Sequence, residues 1–279
     1  MRFGAMCDFC IKHGEGRRWY LSAKNFVNER AGNLWGLSKM AGWVFRMEVK
    51  RRWVGWLSRA PRVVRALLKP LVEPLYRAVH FGQVVPIEDI GQILDIVGTI
   101  VRLPCVCRWV IKGKEERSCF GVVLGGPEAP FLKAIDPRRW GGPELEGLEV
   151  VSKEEAFSIM KRLEEGGAVH TIWTFGTPLI GSICNCQFGS CLGLDTLASG
   201  IKIMFRGEYV AKIKFELCLG CRECEKICPF KAIRYNPKLG RCEVDLFRCY
   251  GCGICRAVCP SGAITLVDRR SIPAVSDLW

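Results

Sequence analysis

Eight cysteines near the C-terminal end carry the clearest chemistry in this chain. They form two runs of one pattern, Cys218-x2-Cys221-x2-Cys224-x3-Cys228-Pro229 and Cys249-x2-Cys252-x2-Cys255-x3-Cys259-Pro260. Three thiolates separated by two residues wrap one face of an iron–sulfur cube, and the fourth begins a helix that points toward the other cube. The proline after it ends the ligand loop. Zinc ribbons instead pair two C-x-x-C units, so two three-thiolate loops, each with a distal fourth, point away from tetrahedral zinc. Cys242 fits neither run. It reads as a buried strand thiol, because free cysteine behaves as a small hydrophobe.

A second set of thiols lies upstream. It comprises Cys105-Val106-Cys107-Arg108, then Cys119, then Cys184-Asn185-Cys186 followed by Cys191. A C-x-C pair cannot easily close an internal disulfide, whereas two such pairs on facing loops build a tetrathiolate site. The six thiols point to a third metal centre, an Fe–S cluster or Zn, with the choice of four ligands open. A group of buried or redox-labile thiols is the competing reading. At the N-terminus, Cys7-x2-Cys10-x2-His13 reads as half a metal site, which leftover thiols of the middle block would complete. His80 and His170 stand alone and read as hydrogen-bonded structural residues.

The two C-terminal runs resemble the bacterial-type ferredoxin with two [4Fe–4S] clusters, over residues 209–268, with all eight ligand positions matched. The resemblance implies that Cys218, Cys221, Cys224 and Cys259 hold one cluster, and Cys249, Cys252, Cys255 and Cys228 the other. A wider likeness spans residues 85–268. Pro104-Cys-Val-Cys-Arg, Ala168-Val-His170 and Ile183-Cys-Asn-Cys resemble iron–sulfur proteins of anaerobes and archaea. Those proteins set a C-x-C-R segment and an I-C-N-C segment before a two-cluster ferredoxin domain, and often carry further cysteines beside I-C-N-C. Here Gln187 and Phe188 occupy that stretch. The likeness implies electron transfer.

Short elements must position these groups. Tyr209–Phe215, Ala232–Tyr235, Cys242–Leu246 and Ala263–Val267 read as strands that pair as two similar halves. Ser152-Lys-Glu-Glu is a capping box. The helix it starts buries Phe157, Ile159, Met160 and Leu163 and stops at Gly166-Gly167, and Ala168 to Phe175 then reads as a strand. Pro86, with Glu88 and Asp89 at the N-terminal dipole, opens one amphipathic helix over residues 87–101, with Ile90, Ile93, Leu94, Val97, Ile100 and Val101 on one face. Residues 120–150 are rich in Gly and Pro and read as loop. Residues 43–80 read as basic helical pieces broken by Pro61, Pro70 and Pro74.

The fold class expected is α+β. Residues 201–279 form a ferredoxin-like two-cluster domain with a pseudo-two-fold repeat. Residues 81–200 form a small α+β unit, and residues 1–80 a basic, Trp-rich helical region.

Composition bounds the function. Cysteine accounts for 17 of 279 residues, an odd count set in tight pairs, which suits chelation better than bridging. MRFGAMCDFC has no apolar signal core, so a reducing, cytoplasmic compartment is expected. No run of about 20 apolar residues marks a transmembrane span. Net charge is +13, and residues 1–80 hold 16 Lys and Arg against 5 Asp and Glu, together with Trp19, Trp35, Trp43, Trp53 and Trp56. Three readings of that block stand: a packed, solvated surface; a docking face for an acidic redox partner or an anionic membrane surface; or nucleic-acid binding, for which no recognised motif is present. The Gly-rich stretches lack dinucleotide and Walker spacings, and no nucleophile elbow or H-E-x-x-H occurs.

The favoured function is electron transfer, as a ferredoxin-like subunit or partner of an oxidoreductase. The competing readings are a redox enzyme with a substrate-binding metal centre in residues 81–200 fed by the ferredoxin domain, and a nucleic-acid-binding iron–sulfur protein.

Overall fold

The computed structural model describes residues 8–28 and 47–278, so Cys7, Trp35 and Trp43 lie outside the described residues. Its helices up to residue 200 are α1 (Asp8–His13), α2 (Met47–Arg59), α3 (Arg62–Val79), α4 (Ile87–Ile96), α5 (Val106–Lys112), α6 (Pro130–Ala134), α7 (Lys153–Glu165) and α8 (Leu192–Ala198). Between them run β1 (Gly82–Val84), β2 (Thr99–Leu103), β3 (Cys119–Val123), β4 (Glu149–Val151), β5 (Val169–Thr174) and β6 (Ile180–Cys186), and β7 (Met204–Phe205) follows. The seven strands form one sheet in the order β4-β2-β3-β6-β5-β1-β7, antiparallel except where β7 lies parallel to β1. The middle block is thus not a set of short local units. Its sheet joins strands far apart in sequence and takes in residues 204–205.

Side chains alternate across the strands and feed cores on both faces. On one face Phe120, Ile172 and Ile183 meet Ile90 and Ile93 of α4, Ile159 of α7, and Phe9, Trp19 and Tyr20. On the other, Val169, Trp173 and Met204 meet Leu57 of α2, Leu194 of α8, and the inner edge of α3 at Leu68, Val72 and Tyr76. The helix α7 forms as its sequence predicts: the Ser152 hydroxyl accepts the Glu155 amide at 3.1 Å, and Ile159 and Met160 are buried.

Three expectations are corrected. The helix expected over 87–101 ends at Ile96, and Ile100 and Val101 belong to β2. The β-branched run Thr99-Ile-Val favours a strand, and pairing with both β3 and β4 fixes it there. Residues 120–123, the start of the stretch expected as loop, belong to β3 between β2 and β6. Its glycine suits the site, because a Cβ on Gly121 would press on Ile135 and Leu103 at 3.1 and 3.3 Å. Pro61 separates α2 from α3, but α3 runs for 18 residues straight through Pro70 and Pro74. The carbonyls these prolines leave unbonded, on Ala66 and Pro70, belong to exposed residues, where water reaches them.

The C-terminal unit comprises β8 (Tyr209–Ile213), α9 (Glu223–Ile227), β9 (Ile233–Asn236), β10 (Arg241–Val244), α10 (Ile254–Ala257) and β11 (Ile264–Asp268). The first strand pairs with the last and the middle two pair with each other, all antiparallel. The whole is α+β. Two buried acids knit the blocks together. Asp89 of α4 accepts the hydroxyls of Tyr20 at 2.6 Å and Tyr209 at 2.8 Å, and pairs with Arg18 at 3.3 Å. Glu208 pairs with Arg269 at 3.2 Å and accepts Gln83 Nε2 at 3.1 Å.

Candidate metal centres

The two C-terminal thiol loops share one backbone conformation. The residue before the second cysteine, Gly220 or Gly251, has φ of +68° or +69°, and the residue after it, Arg222 or Gly253, has φ of +68° or +86°. Such left-handed residues turn successive amides toward one concave side, the arrangement that cradles anionic groups. The third cysteine of each run then sits on a short helix, Cys224 on α9 and Cys255 on α10.

The fourth cysteines cross over. Cys259 stands with Cys221 among the charged neighbours of Cys224. Cys228 stands among those of Cys249, Cys252 and Cys255. Crossed ligation would need these neighbourhoods. Burial pushes the Cys224 thiol up to about 12, and raises Cys252 and Cys255 as well. An electropositive centre offsets that cost by drawing off the thiolate charge. Backbone amides already aim at the sulfurs: Ala211 N donates to Cys249 Sγ and Ala232 N to Cys228 Sγ, both at 3.3 Å. The amides of Gly251 and Ile254 donate to Cys249 and Cys252. This donor set fits two four-thiolate iron–sulfur clusters. Cys242 is buried, as its sequence position predicts, and hydrogen-bonds the Cys224 thiol.

The two sites differ in cover. Cys228, Cys249, Cys252 and Cys255 are all buried. In the other set Cys221 is exposed and Cys218 and Cys259 are half-buried. Exposed Phe215, Leu217 and Leu219 rim that open loop.

The six upstream thiols also converge. Cys105 caps the N-terminus of α5, and Cys107 lies in its first turn. Cys119 and Cys184 are cross-strand partners on β3 and β6. Cys186 ends β6, and Cys191 caps α8. Their thiols are neighbours in the sequence Cys184–Cys119–Cys105–Cys107–Cys191–Cys186. Cys105 accepts from both neighbours, Cys107 and Cys119, which pulls it down to about 3; Cys107 and Cys119 are raised in turn. Lys50 of α2 faces Cys107 and Cys191 and lies over the Tyr76 ring at 5.6 Å; burial pulls its ammonium down to about 8. Among the described residues, no three or more His, Cys, Asp or Glu converge as the ligands of a single ion, the C-terminal thiols included. Polynuclear clusters give each iron its own thiolate, so their ligands need not meet at one point.

The residues between these thiols have a function that spacing alone does not reveal. The Arg108 side chain is 2% exposed. Its guanidinium donates to the Ser118 hydroxyl and to the Asn185 carbonyl at 3.0 Å, and pairs with Glu116 at 2.7 Å. Asn185 Nδ2 donates to the Ser118 carbonyl at 2.7 Å, and its Oδ1 accepts from His170 Nδ1 at 2.6 Å. Arg108 and Asn185 thus tie the two thiol-bearing segments together. His80, likewise a structural residue, bonds the Thr174 carbonyl and stacks on Trp173. Burial lowers His80 to about 3 and His170 to about 4.

The N-terminal half-site is not brought to the upstream thiols. Cys10 lies in the core on the opposite face of the sheet, and its thiol donates to Glu208 at 3.8 Å. The His13 ring lies tilted against Phe9, with centroids 4.5 Å apart.

No curated protein and no solved structure matches the chain. A family model described as a 4Fe-4S dicluster domain does match its C-terminal unit, over residues 207–263.

Proposed function

We propose that the protein relays electrons through two [4Fe–4S] clusters, as a subunit or partner of an oxidoreductase. Cys218, Cys221, Cys224 and Cys259 hold one cluster; Cys249, Cys252, Cys255 and Cys228 hold the other. The crossed grouping of the fourth cysteines carries this reading, because it builds two four-thiolate sites side by side from eight residues. Bound clusters supply one-electron carriers. The chain tunes them: the amides of Ala211, Ala232, Gly251 and Ile254 stabilise charge on the inner sulfurs. Arg206 grips the Cys249 carbonyl at 2.8 Å and lies 4.5 Å over the Tyr250 ring, bracing the inner loop. Phe215, Leu217 and Leu219 give the open loop an apolar rim, suited to a brief encounter with a redox partner that excludes water around Cys221.

Anaerobic purification followed by iron, sulfide and zinc counting tests the reading. The eight C-terminal cysteines account for about eight irons and as many sulfides. Paramagnetic signals from both sites are expected after reduction with dithionite. A chain that holds zinc at these cysteines and no sulfide refutes the proposal.

A further inference from the structure

We propose that Cys105, Cys107, Cys119, Cys184, Cys186 and Cys191 enclose a third, polynuclear iron–sulfur centre seated beside the inner cluster of the dicluster domain. Six thiols from three separate segments form one row of neighbours, built on the cross-strand pair Cys119 and Cys184 and the adjoining ends of α5, β6 and α8. Four or fewer would suffice for a tetrahedral ion, and that ion would draw its ligands to one point. Six thiols exceed that number, and Cys119 and Cys184 stand directly opposite each other on β3 and β6. The polar network of Arg108 and Asn185 holds two of these segments rigidly from behind. Lys50 sets a cation at the edge, opposite the charge that thiolates bring.

The surroundings favour iron–sulfur over a redox-inert pair of zinc ions. Cys186 and Cys191 share one apolar core with Cys252 of the inner site. Phe188, in the turn between Cys186 and Cys191, meets Phe230 edge-on at 5.8 Å. Phe230 stacks on Tyr250 at 4.2 Å and 9° between planes. Phe230 follows the ligand Cys228 by two positions, and Tyr250 follows Cys249. Three aromatic rings thus lead from the upstream thiols to both ends of the inner ligand set. The placement beside that site rests on the proposed relay; the presence of iron and sulfide at the upstream thiols does not.

The test uses the full chain reconstituted anaerobically with iron and sulfide, beside variants in which each upstream cysteine becomes alanine. The native chain should hold about twelve irons and as many sulfides, against about eight from the dicluster domain alone. Alanine at ligating positions should remove about one third of the iron and leave the signals of the other two clusters in place. Those retained signals show that the variant has folded. A native count near eight, a zinc content of one or two per chain with no added sulfide, or six variants that all keep the native iron overturns the proposal. Loss of the dicluster signals in the native chain, with upstream iron retained, refutes the relay instead.

A different observation carries a second inference. On α3, Val63, Leu67, Leu71 and Leu75 recur every fourth residue and are 61–73% exposed, with Val79 continuing the row. Ala66, Pro70, Pro74 and Ala78 widen it, so one whole side of an 18-residue helix is apolar and faces outward. A soluble surface rarely shows so long an apolar strip. Exposed Arg62, Lys69 and Arg77 lie on the same helix, and α2 just before it adds exposed Arg51, Arg52 and Arg59. Apolar residues along one side with cations close by suit a helix lying in the headgroup layer of an anionic bilayer. No described helix is long and apolar enough to cross one. We infer that α3 docks the protein on an anionic membrane surface. Sedimentation with phosphatidylcholine vesicles, with and without phosphatidylserine, tests this. Binding should require the anionic lipid, weaken with salt, and fall by about tenfold or more in the double variant Leu67→Glu and Leu71→Glu with iron content unchanged. Absence of binding to either vesicle overturns it, as does binding that the double variant retains. A concentration-dependent dimer lost in the same variant would assign the strip to a second copy of the chain. Binding to an acidic protein without vesicle binding would assign it to such a partner.

Discussion

Arg108 donates to the backbone carbonyl of Asn185 at 3.0 Å, across 77 residues of sequence. Each is the polar non-cysteine residue of a thiol motif, so the contact joins C-x-C-R to I-C-N-C. Replacing Arg108 with leucine leaves the Ser118 hydroxyl and the Asn185 carbonyl without this donor. Charged hydrogen bonds in buried positions contribute strongly, and we expect a loss of about 3 kcal/mol, read by anaerobic chemical denaturation. Arg108→Lys should recover little, because one ammonium cannot reach Ser118, Glu116 and Asn185 together. Stability within about 0.5 kcal/mol of the native chain would show that the network is slack.

Exchanging Cys228 for alanine should disrupt the site of Cys249, Cys252 and Cys255 and spare that of Cys218, Cys221 and Cys224. Exchanging Cys259 should do the reverse. Two sets of paramagnetic signals, assigned by alanine variants of Cys221 and Cys252, read out the pairing. Damage confined to the run that contains the mutated residue would refute the crossover.

Unequal cover predicts unequal lability. The site with exposed Cys221 should lose its cluster first when a mild oxidant or an iron chelator is titrated in, with the buried site of Cys228 persisting. Iron release should show two phases of similar amplitude from the dicluster domain. A single phase, or prior loss from the buried site, contradicts the exposure argument.

Glu164 sits near the C-terminal end of α7, only 5% exposed, and burial pushes its carboxyl up to about 7. The unfolded chain releases that proton near 4.5. Between these values the native state binds more protons, so this group costs stability increasingly as pH rises from 4.5 and fully above about 7. Glu164→Gln should therefore raise the thermal midpoint more at about pH 8 than at about pH 5. An equal gain at both would mean that the carboxyl titrates normally.

Legibility in the sequence followed locality. The two cysteine runs and the Ser152 cap depend on spacings of a few residues; the cap forms as its pattern predicts, and a dicluster family model matches the stretch that holds the runs. The sheet depends on partners far away. Ile100 and Val101 satisfy a helical period as well as a strand, and only pairing with β3 and β4 decides between them. Pro70 and Pro74 were poor guides because a helix on the surface can hand its unbonded carbonyls to water. The upstream thiols could be named but not connected, since their string is set by the register of Cys119 against Cys184. Arg108 carried a signal only in being charged beside a cysteine. That a charged side chain would be buried there, with two carbonyl-bearing segments to hold, is a property of the assembled sheet.

The parallel pairing of Met204–Phe205 with β1 bears on how charge can travel. The passage from the upstream sheet into the dicluster domain is itself hydrogen-bonded backbone, and the buried pair Glu208–Arg269 lies just beyond it. An arm that carries electrons by swinging between docking positions needs slack in its tether, and solvent friction then sets its pace. Here the described junction has none. With the proposed upstream centre in place, exchange between the two halves would proceed at fixed separation, and thickening the solvent with glycerol or sucrose should leave its rate untouched while slowing encounters with an outside partner.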